Sequence, residues 1–448
     1  MLVVNFLLAM LPIIWLMVAL SVLKWPAYRA CAVALGIALV LSCAYWRQSA
    51  TLAGLAVLEG VLNALWPICL VIIAALFTYN LTLATGAMEG IKSMLSGVST
   101  DGRVLMLIIC WGFGHFMEGM AGFGTAAAIP AGILVALGFD PIRTVLACLL
   151  INTMPTAFGS VGVPTVTLGS VTGLDANLLA QNISIMEFPL FLLSPFVAMV
   201  IFGQGVKALK GVWGITAAAA ISFVIPETIA GMFLGPQLPD IIGAVCSLIC
   251  LVLLARARKG EVPPEYAAAP VKNAADRPLT LSKALRDWSP FILVLVFLLA
   301  TTLIPFIHDP LSAVTSRVEI YPGSALSFAW INTPGIIIFI AAFVGGLIQK
   351  ASPAAMGNVL GKTLKANWKT VLTICCVVAT AKIMDHSGMT GDISALLART
   401  GSFFPLVSPL IGVLGAFITG SGTSTCVLFT VLGGLVCYFL PFVLPLPV

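Results

Sequence analysis

The chain has 448 residues, 60 % of them hydrophobic and 9 % charged, with a mean hydropathy of +1.11. A soluble globular protein carries about 25 % charged residues, so this composition cannot cover a water-facing surface, and lipid is the solvent that suits it. The formal charge of +5 does not point to nucleic acid, because the basic residues lie between apolar runs, and the 11 cysteines lack the paired spacing of a metal site.

Apolar runs long enough to span a bilayer, at about 20 residues per crossing, fall near 2–23, 27–46, 62–84, 183–203, 211–233, 236–255, 288–306, 330–348 and 368–384. The first has no basic leader and reads as a membrane helix rather than a cleavable signal. Residues 141–169 form another crossing, interrupted by Asn152, Pro155, Gly159, Gly162 and Pro164. The fold expected is all-α and polytopic, with about 11 crossings and two re-entrant hairpins, at 104–138 and 403–440.

The first hairpin follows from length. As one helix, 104–138 would run to about 50 Å at ~1.5 Å per residue, against a hydrocarbon core of about 30 Å. Gly119, Gly122 and Gly124 cut it into two arms of roughly 14 residues, or about 21 Å each. Both arms then enter and leave on one side, with the non-helical tip buried in protein. Basic residues agree. With the N-terminus outside and no net crossing at 104–138, Lys24, Arg29, Lys92, Arg103, Arg143, Lys207 and Lys210 face the cytoplasm, as do the cations of 256–287 and Lys350, Lys362, Lys365 and Lys369. Only Arg47, Arg317 and Arg399 fall outside. Residues 256–287, with Pro263, Pro264 and Pro278, read as a cytoplasmic connector between a membrane half at 1–255 and another at 288–448.

Residues 66–95 can be laid on 368–397 without a gap. Trp66, Leu70, Ile72, Thr78, Gly86, Ile91 and Leu95 then meet Trp368, Leu372, Ile374, Thr380, Gly388, Ile393 and Leu397. A Gly-x-Gly-Thr tip follows each copy at nearly the same distance, at Gly122-Phe-Gly-Thr125 and Gly420-Ser-Gly-Thr423. The repeats would cover 62–169 and 368–440 and run in opposite directions through the membrane. Inverted repeats with broken helices mark secondary transporters, with the site between them at mid-membrane.

A hairpin tip presents free helix N-terminal amides to a ligand. Gly122, Phe123, Gly124 and Thr125 on one side, and Ser421, Gly422, Thr423 and Ser424 on the other, suit a small carboxylate; Asn152 and Thr153 form a further polar break. The plain alternative is close helix packing by small residues. Ionisable groups at membrane depth are candidates for coupling. His115 and Glu118 share a helical face just before the first tip, where a carboxyl can load and unload a proton; the alternative is that they bond only each other. Lys382 and Asp385 are spaced to pair, and the lysine to steer an anion, unless it reaches for the interface. Glu59, Glu187 and Glu227 read as interfacial.

The stretches Phe77-Thr-Tyr-Asn-Leu-Thr82, Glu118-Gly-Met-Ala-Gly-Phe-Gly-Thr125, Asn152-Thr-Met-Pro-Thr-Ala-Phe-Gly159 and Thr172-Gly-Leu-Asp175 resemble the L-lactate permease family, as do Ser387-Gly-Met389, Phe404-Pro-Leu-Val-Ser-Pro409 and Thr419-Gly-Ser-Gly-Thr-Ser424. They occur in the family's order over nearly the whole chain. The resemblance implies proton-coupled uptake of lactate, glycolate and related 2-hydroxy acids through a bacterial inner membrane, with the proton as coupling ion and no other cofactor. It also implies an inverted-repeat fold like that of the ion-transporter superfamily, with a moving transport unit; a homo-oligomer is compatible with the sequence, which does not set the oligomeric state. Two departures stand out. Gly422 replaces an acid that the family usually has in the second tip, and relatives usually continue into a further crossing where this chain closes with Pro441-Phe-Val-Leu-Pro-Leu-Pro-Val448. Gly422 keeps another organic or inorganic anion in play, and the short end a non-transporting relative. An enzyme is disfavoured, since the chain has no His-Glu-x-x-His, nucleophile elbow or Walker loop.

Overall fold

A computed structural model describes residues 2–122, 125–258, 262–268, 280–321, 324–397 and 412–413. The second hairpin, 403–440, with Ser421, Gly422, Thr423 and Ser424, lies outside the described residues but for 412–413, as do Phe123 and Gly124. The chain begins with α1 (Leu2–Ala9) and α2 (Leu11–Met17), which continues as a wide turn to Val22; the two are bent by 41°. Next come α3 (Ala27–Ala44) and α4 (Ala50–Asn63), the latter capped by the Ser49 hydroxyl at the Leu52 amide.

Beyond α4 the helix widens over Ala64–Cys69, where Trp66 leaves helical geometry before Pro67, and resumes as α5 (Leu70–Ala84). The proline supplies no amide to the turn. The span expected at 62–84 is therefore the second half of a 35-residue element, 50–84. Gly86, at φ 75°, turns the chain into α6 (Ala87–Ser96).

The first hairpin comprises α7 (Gly102–Met106), a wide helical stretch over Leu107–Phe113, α8 (Gly114–Met120) and the returning α9 (Thr125–Ala136). Its two ends meet: a Cβ on Gly102 would lie 2.0 Å from Phe139 Cζ. The chain thus returns to where it entered. The outgoing arm is longer than expected, at 19 residues or about 28 Å. Asp101 caps it and pairs with Arg103 (2.9 Å) and Arg258 (2.8 Å). Ala268 bonds Thr100, and Arg103 lies 4.4 Å from the Tyr266 ring, so the near part of the connector is fastened to the hairpin base.

α10 (Pro141–Thr153) and α11 (Gly159–Thr172) are bent by 45° across a short turn at Met154–Ala157, the break expected from Asn152, Pro155 and Gly159. α12 (Ala176–Phe202), α13 (Trp213–Phe233) and α14 (Pro239–Ala257) follow, with α13 packed on both others. After the connector come α15 (Leu281–Asp287), α16 (Ser289–Leu303) and α17 (Pro305–Ser312). An antiparallel pair, β1 (Thr315–Tyr321) and β2 (Ser324–Ala329), departs from the all-α expectation. α18 (Pro334–Ile348), α19 (Pro353–Ser387) and α20 (Met389–Leu397) complete the described helices.

Like its counterpart, the span expected at 368–384 is the second half of a 35-residue helix, α19, and Gly388 at φ 87° turns it into α20. α19 runs antiparallel to α4 and α5. Thr363 meets Asn80 (3.0 Å), Ala379 abuts Gly60, and Lys382 meets Glu59 (3.0 Å). Among the described residues, six helices are long and apolar enough to span, or up to nine if each bent pair is one span. That makes a multi-pass helical membrane protein.

Candidate functional site

Three interruptions of helical backbone converge. The hairpin tip at Ala121–Gly122 touches the start of α11, where the Ser160 hydroxyl donates to the Ala121 carbonyl (2.8 Å). Gly122 is left-handed (φ 59°), and a Cβ there would come within 2.2 Å of Ser160 Oγ. Ser160, Val161 and Gly162 are also left-handed, at φ 48°, 57° and 74°. For a β-branched residue such as Val161 this is an outlier that only its surroundings hold in place. A cavity of ≈ 220 Å³ separates this break from the third interruption, at Trp66 and Pro67; Val163, Gln237 and Thr333 also line it. A second cavity of ≈ 440 Å³ shares Gln237 and carries Asn177, Gln181 and Thr301.

Glu118 is 6 % exposed, and its Oε1 lies where a Cβ on Gly159 would approach within 2.7 Å. Its Oε2 is buried without a hydrogen-bond partner. His115 does not bond it. The imidazole Nε2 lies 3.2 Å from the Ile151 carbonyl, and Nδ1 is buried with no partner. Glycine at 159 thus lets the Glu118 carboxyl reach the backbone of α11, and glycine at 122 lets the tip close on the Ser160 side chain. Thr125 opens α9, whose first amides lack intrahelical acceptors. Asn152 keeps an unbonded buried Oδ1, whereas the Thr153 hydroxyl is exposed and donates to Leu150.

Lys382 pairs with Glu59 rather than with Asp385, which is exposed. His386 Nε2 lies 3.0 Å from Glu59 Oε2, and the Tyr321 hydroxyl of β1 bonds both. Glu59, read from sequence as interfacial, is 3 % exposed because α19 covers it. Glu227, 0 % exposed, is likewise interior, and Oε2 of Glu187 is enclosed. Asp240, 1 % exposed, was not singled out by sequence, since an acid after Pro239 reads as an ordinary first-turn residue.

Outside the spans, Asp101 is the notable acid. Burial alone would raise its pKa, but the hydrogen bonds and charge of Arg103, with help from Arg258, hold it below the usual carboxylate range.

A family described as L-lactate permease matches residues 5–437. An L-lactate permease of Streptococcus iniae is 41 % identical over 94 % of this chain and 88 % of its own. An L-lactate permease of Escherichia coli (strain K12) is 32 % identical, covering 95 % and 82 %. The glycolate permease GlcA of the same strain is 32 % identical, covering 94 % and 82 %. No solved structure matches.

Proposed function

Because the chain belongs to the L-lactate permease family, whose members are transporters rather than enzymes, we propose that it takes up lactate, glycolate or a related 2-hydroxy-monocarboxylate together with protons. The observation that carries the reading is Glu118. It is an acid at the hairpin tip, buried, with one unbonded oxygen, set against a broken helix whose Val161 and Val163 line a cavity large enough for such a molecule. Amides at the start of α9 favour an anion. A neutralised Glu118 favours its approach, and an ionised one its release.

The antiparallel course of α19 along α4 and α5, each element ending on a left-handed glycine, supports an inverted repeat. We place the chain in a bacterial inner membrane with its N-terminus outside. The cavities beside Gln237 then open outward, and the hairpin enters from the cytoplasm.

Uptake of labelled lactate, glycolate and sulfate into proteoliposomes, with and without an imposed pH gradient, tests this. Accumulation of the two hydroxy acids should require the gradient, and Glu118→Gln should abolish accumulation while leaving substrate binding measurable. Preference for sulfate would favour another anion, the possibility raised by Gly422. A Glu118→Gln protein that still concentrates substrate removes this residue from coupling.

A further inference from the structure

Glu118 is not alone. Asp240 on α14 lies within electrostatic reach of Glu118, of Glu227 on α13 and of Glu187 on α12, and Glu187 lies within reach of Glu227. Glycines bring the elements together: a Cβ on Gly119 would approach Asp240 Oδ2 within 2.9 Å, and one on Gly243 would approach Glu227 Cβ within 2.9 Å. Both oxygens of Asp240 are buried and unbonded, as are Oε2 of Glu118, Oε2 of Glu187 and Oε1 of Glu227. Among the described residues no lysine or arginine pairs with any of the four.

The carboxyls form a layer with a floor. The His115 ring lies 4.3 Å from Trp111, 4.4 Å from Phe223 and 5.8 Å from Phe191, centroid to centroid. Glu118 is three residues from His115, Glu227 four from Phe223 and Glu187 four from Phe191. Each acid therefore stands one turn from its ring, and the antiparallel helices put all three on one side of the aromatic plane. On that same side Asp240, whose Oδ2 abuts Gly119, is three residues from Gln237, which lines both cavities. The remaining titratable groups on these and the packed helices are the thiols Cys110, Cys148, Cys246 and Cys250, with Arg103, Arg143 and Arg256 toward helix ends.

Four uncompensated carboxylates in an apolar interior would be held there against the large cost of removing each charge from water. Neutralisation by protons removes that cost, and the buried, unbonded oxygens of Asp240, one of them against Gly119, mark a site open to such a ligand rather than a closed hydrogen-bond network. We infer that Asp240, Glu227 and Glu187 form a proton-holding relay between the cavity at Gln237 and Glu118, closed on its far side by the aromatic floor. A proton leaves one carboxylic acid as a neighbouring carboxylate receives another, so one positive charge advances and the number of ionised groups is unchanged. The relay rests on the proton-coupled reading above and supplies its path.

The full chain in proteoliposomes, carrying Asp240→Asn or Glu227→Gln, tests it with two transport readouts. Counterflow of lactate needs no net proton movement, whereas accumulation under a pH gradient does. Loss of the relay should lower accumulation at least about tenfold more than counterflow; a merely structural lesion lowers both alike and overturns the proposal, as does accumulation driven by a sodium gradient at fixed pH. Infrared spectra of the same proteins at neutral pH should lose protonated-carboxyl C=O intensity in each variant. An unchanged band overturns the relay whichever anion is carried. A wild-type protein that moves neither lactate nor glycolate yet shows the band difference fails on substrate alone.

Discussion

At the scale of the residue, the contact between Gly122 and Ser160 is the most sensitive point. Gly122 combines a left-handed backbone with a 2.2 Å approach to Ser160 Oγ, so a methyl group there is refused twice, by conformation and by space. Gly122→Ala should reduce uptake by on the order of a hundredfold, since ångström-scale displacement at a reacting site has effects of that size. Adding Ser160→Gly removes the clashing hydroxyl and also suits the left-handed position, so the double variant should recover part of the rate. Equal uptake by Gly122→Ala and wild type would show that the tip does not touch the transport path. The glycines and Glu118 of this contact were legible as a broken apolar run carrying an acid. Val161 was not, because nothing in a β-branched residue announces a left-handed backbone; the neighbouring elements impose it.

At the scale of the element, the outgoing arm of the hairpin is held at its base by Asp101. The acid lies between Arg103 and Arg258, and its pKa is depressed in the folded chain. A depressed acid contributes stability above its unfolded pKa and loses that contribution as pH falls through its folded value. Asp101→Asn should therefore lower the thermal midpoint at neutral pH, with a cost of about 3 kcal/mol for stranding the buried Arg103. The difference from wild type should shrink only in strong acid, below the ordinary carboxylate range. A gap that closes already near neutrality would assign the stabilisation to another group. The spans were legible where they are apolar. The first halves of the two 35-residue elements were not: residues 353–367 carry Lys362 and Lys365, and Ser49 and Glu59 bracket the start of α4, so hydropathy begins each helix too late. Trp66 and Trp368 align in sequence, yet only Trp66 breaks its helix, because Pro67 follows it and Lys369 follows Trp368. The short pair β1–β2 escaped because a two-stranded ribbon resembles any polar outer loop in composition.

At the scale of the whole molecule, the proposed inverted repeat requires that its two copies point opposite ways. The geometry gives each copy a distinct neighbourhood. α6, after Gly86, lies against Asp287 beside the connector, while Asp392 of α20, after Gly388, accepts hydrogen bonds from Asn5 and Trp46 at the other end of the bundle. Glu89 and Gly391 occupy equivalent places, each three residues beyond its glycine, and both are exposed. Cysteines introduced there, as Glu89→Cys and Gly391→Cys in a background without other reactive thiols, therefore report on opposite faces. In vesicles of uniform orientation, a maleimide that cannot cross the bilayer should label Gly391→Cys from outside, and Glu89→Cys only after permeabilisation. Both labelled from one face would mean that α4–α5 and α19 do not carry their ends to opposite sides, and alternating access about the tip of the hairpin would lose its symmetry. The antiparallel contacts of Thr363 with Asn80 and Lys382 with Glu59, spaced along one long helix, are the packing from which labelling on opposite faces is expected.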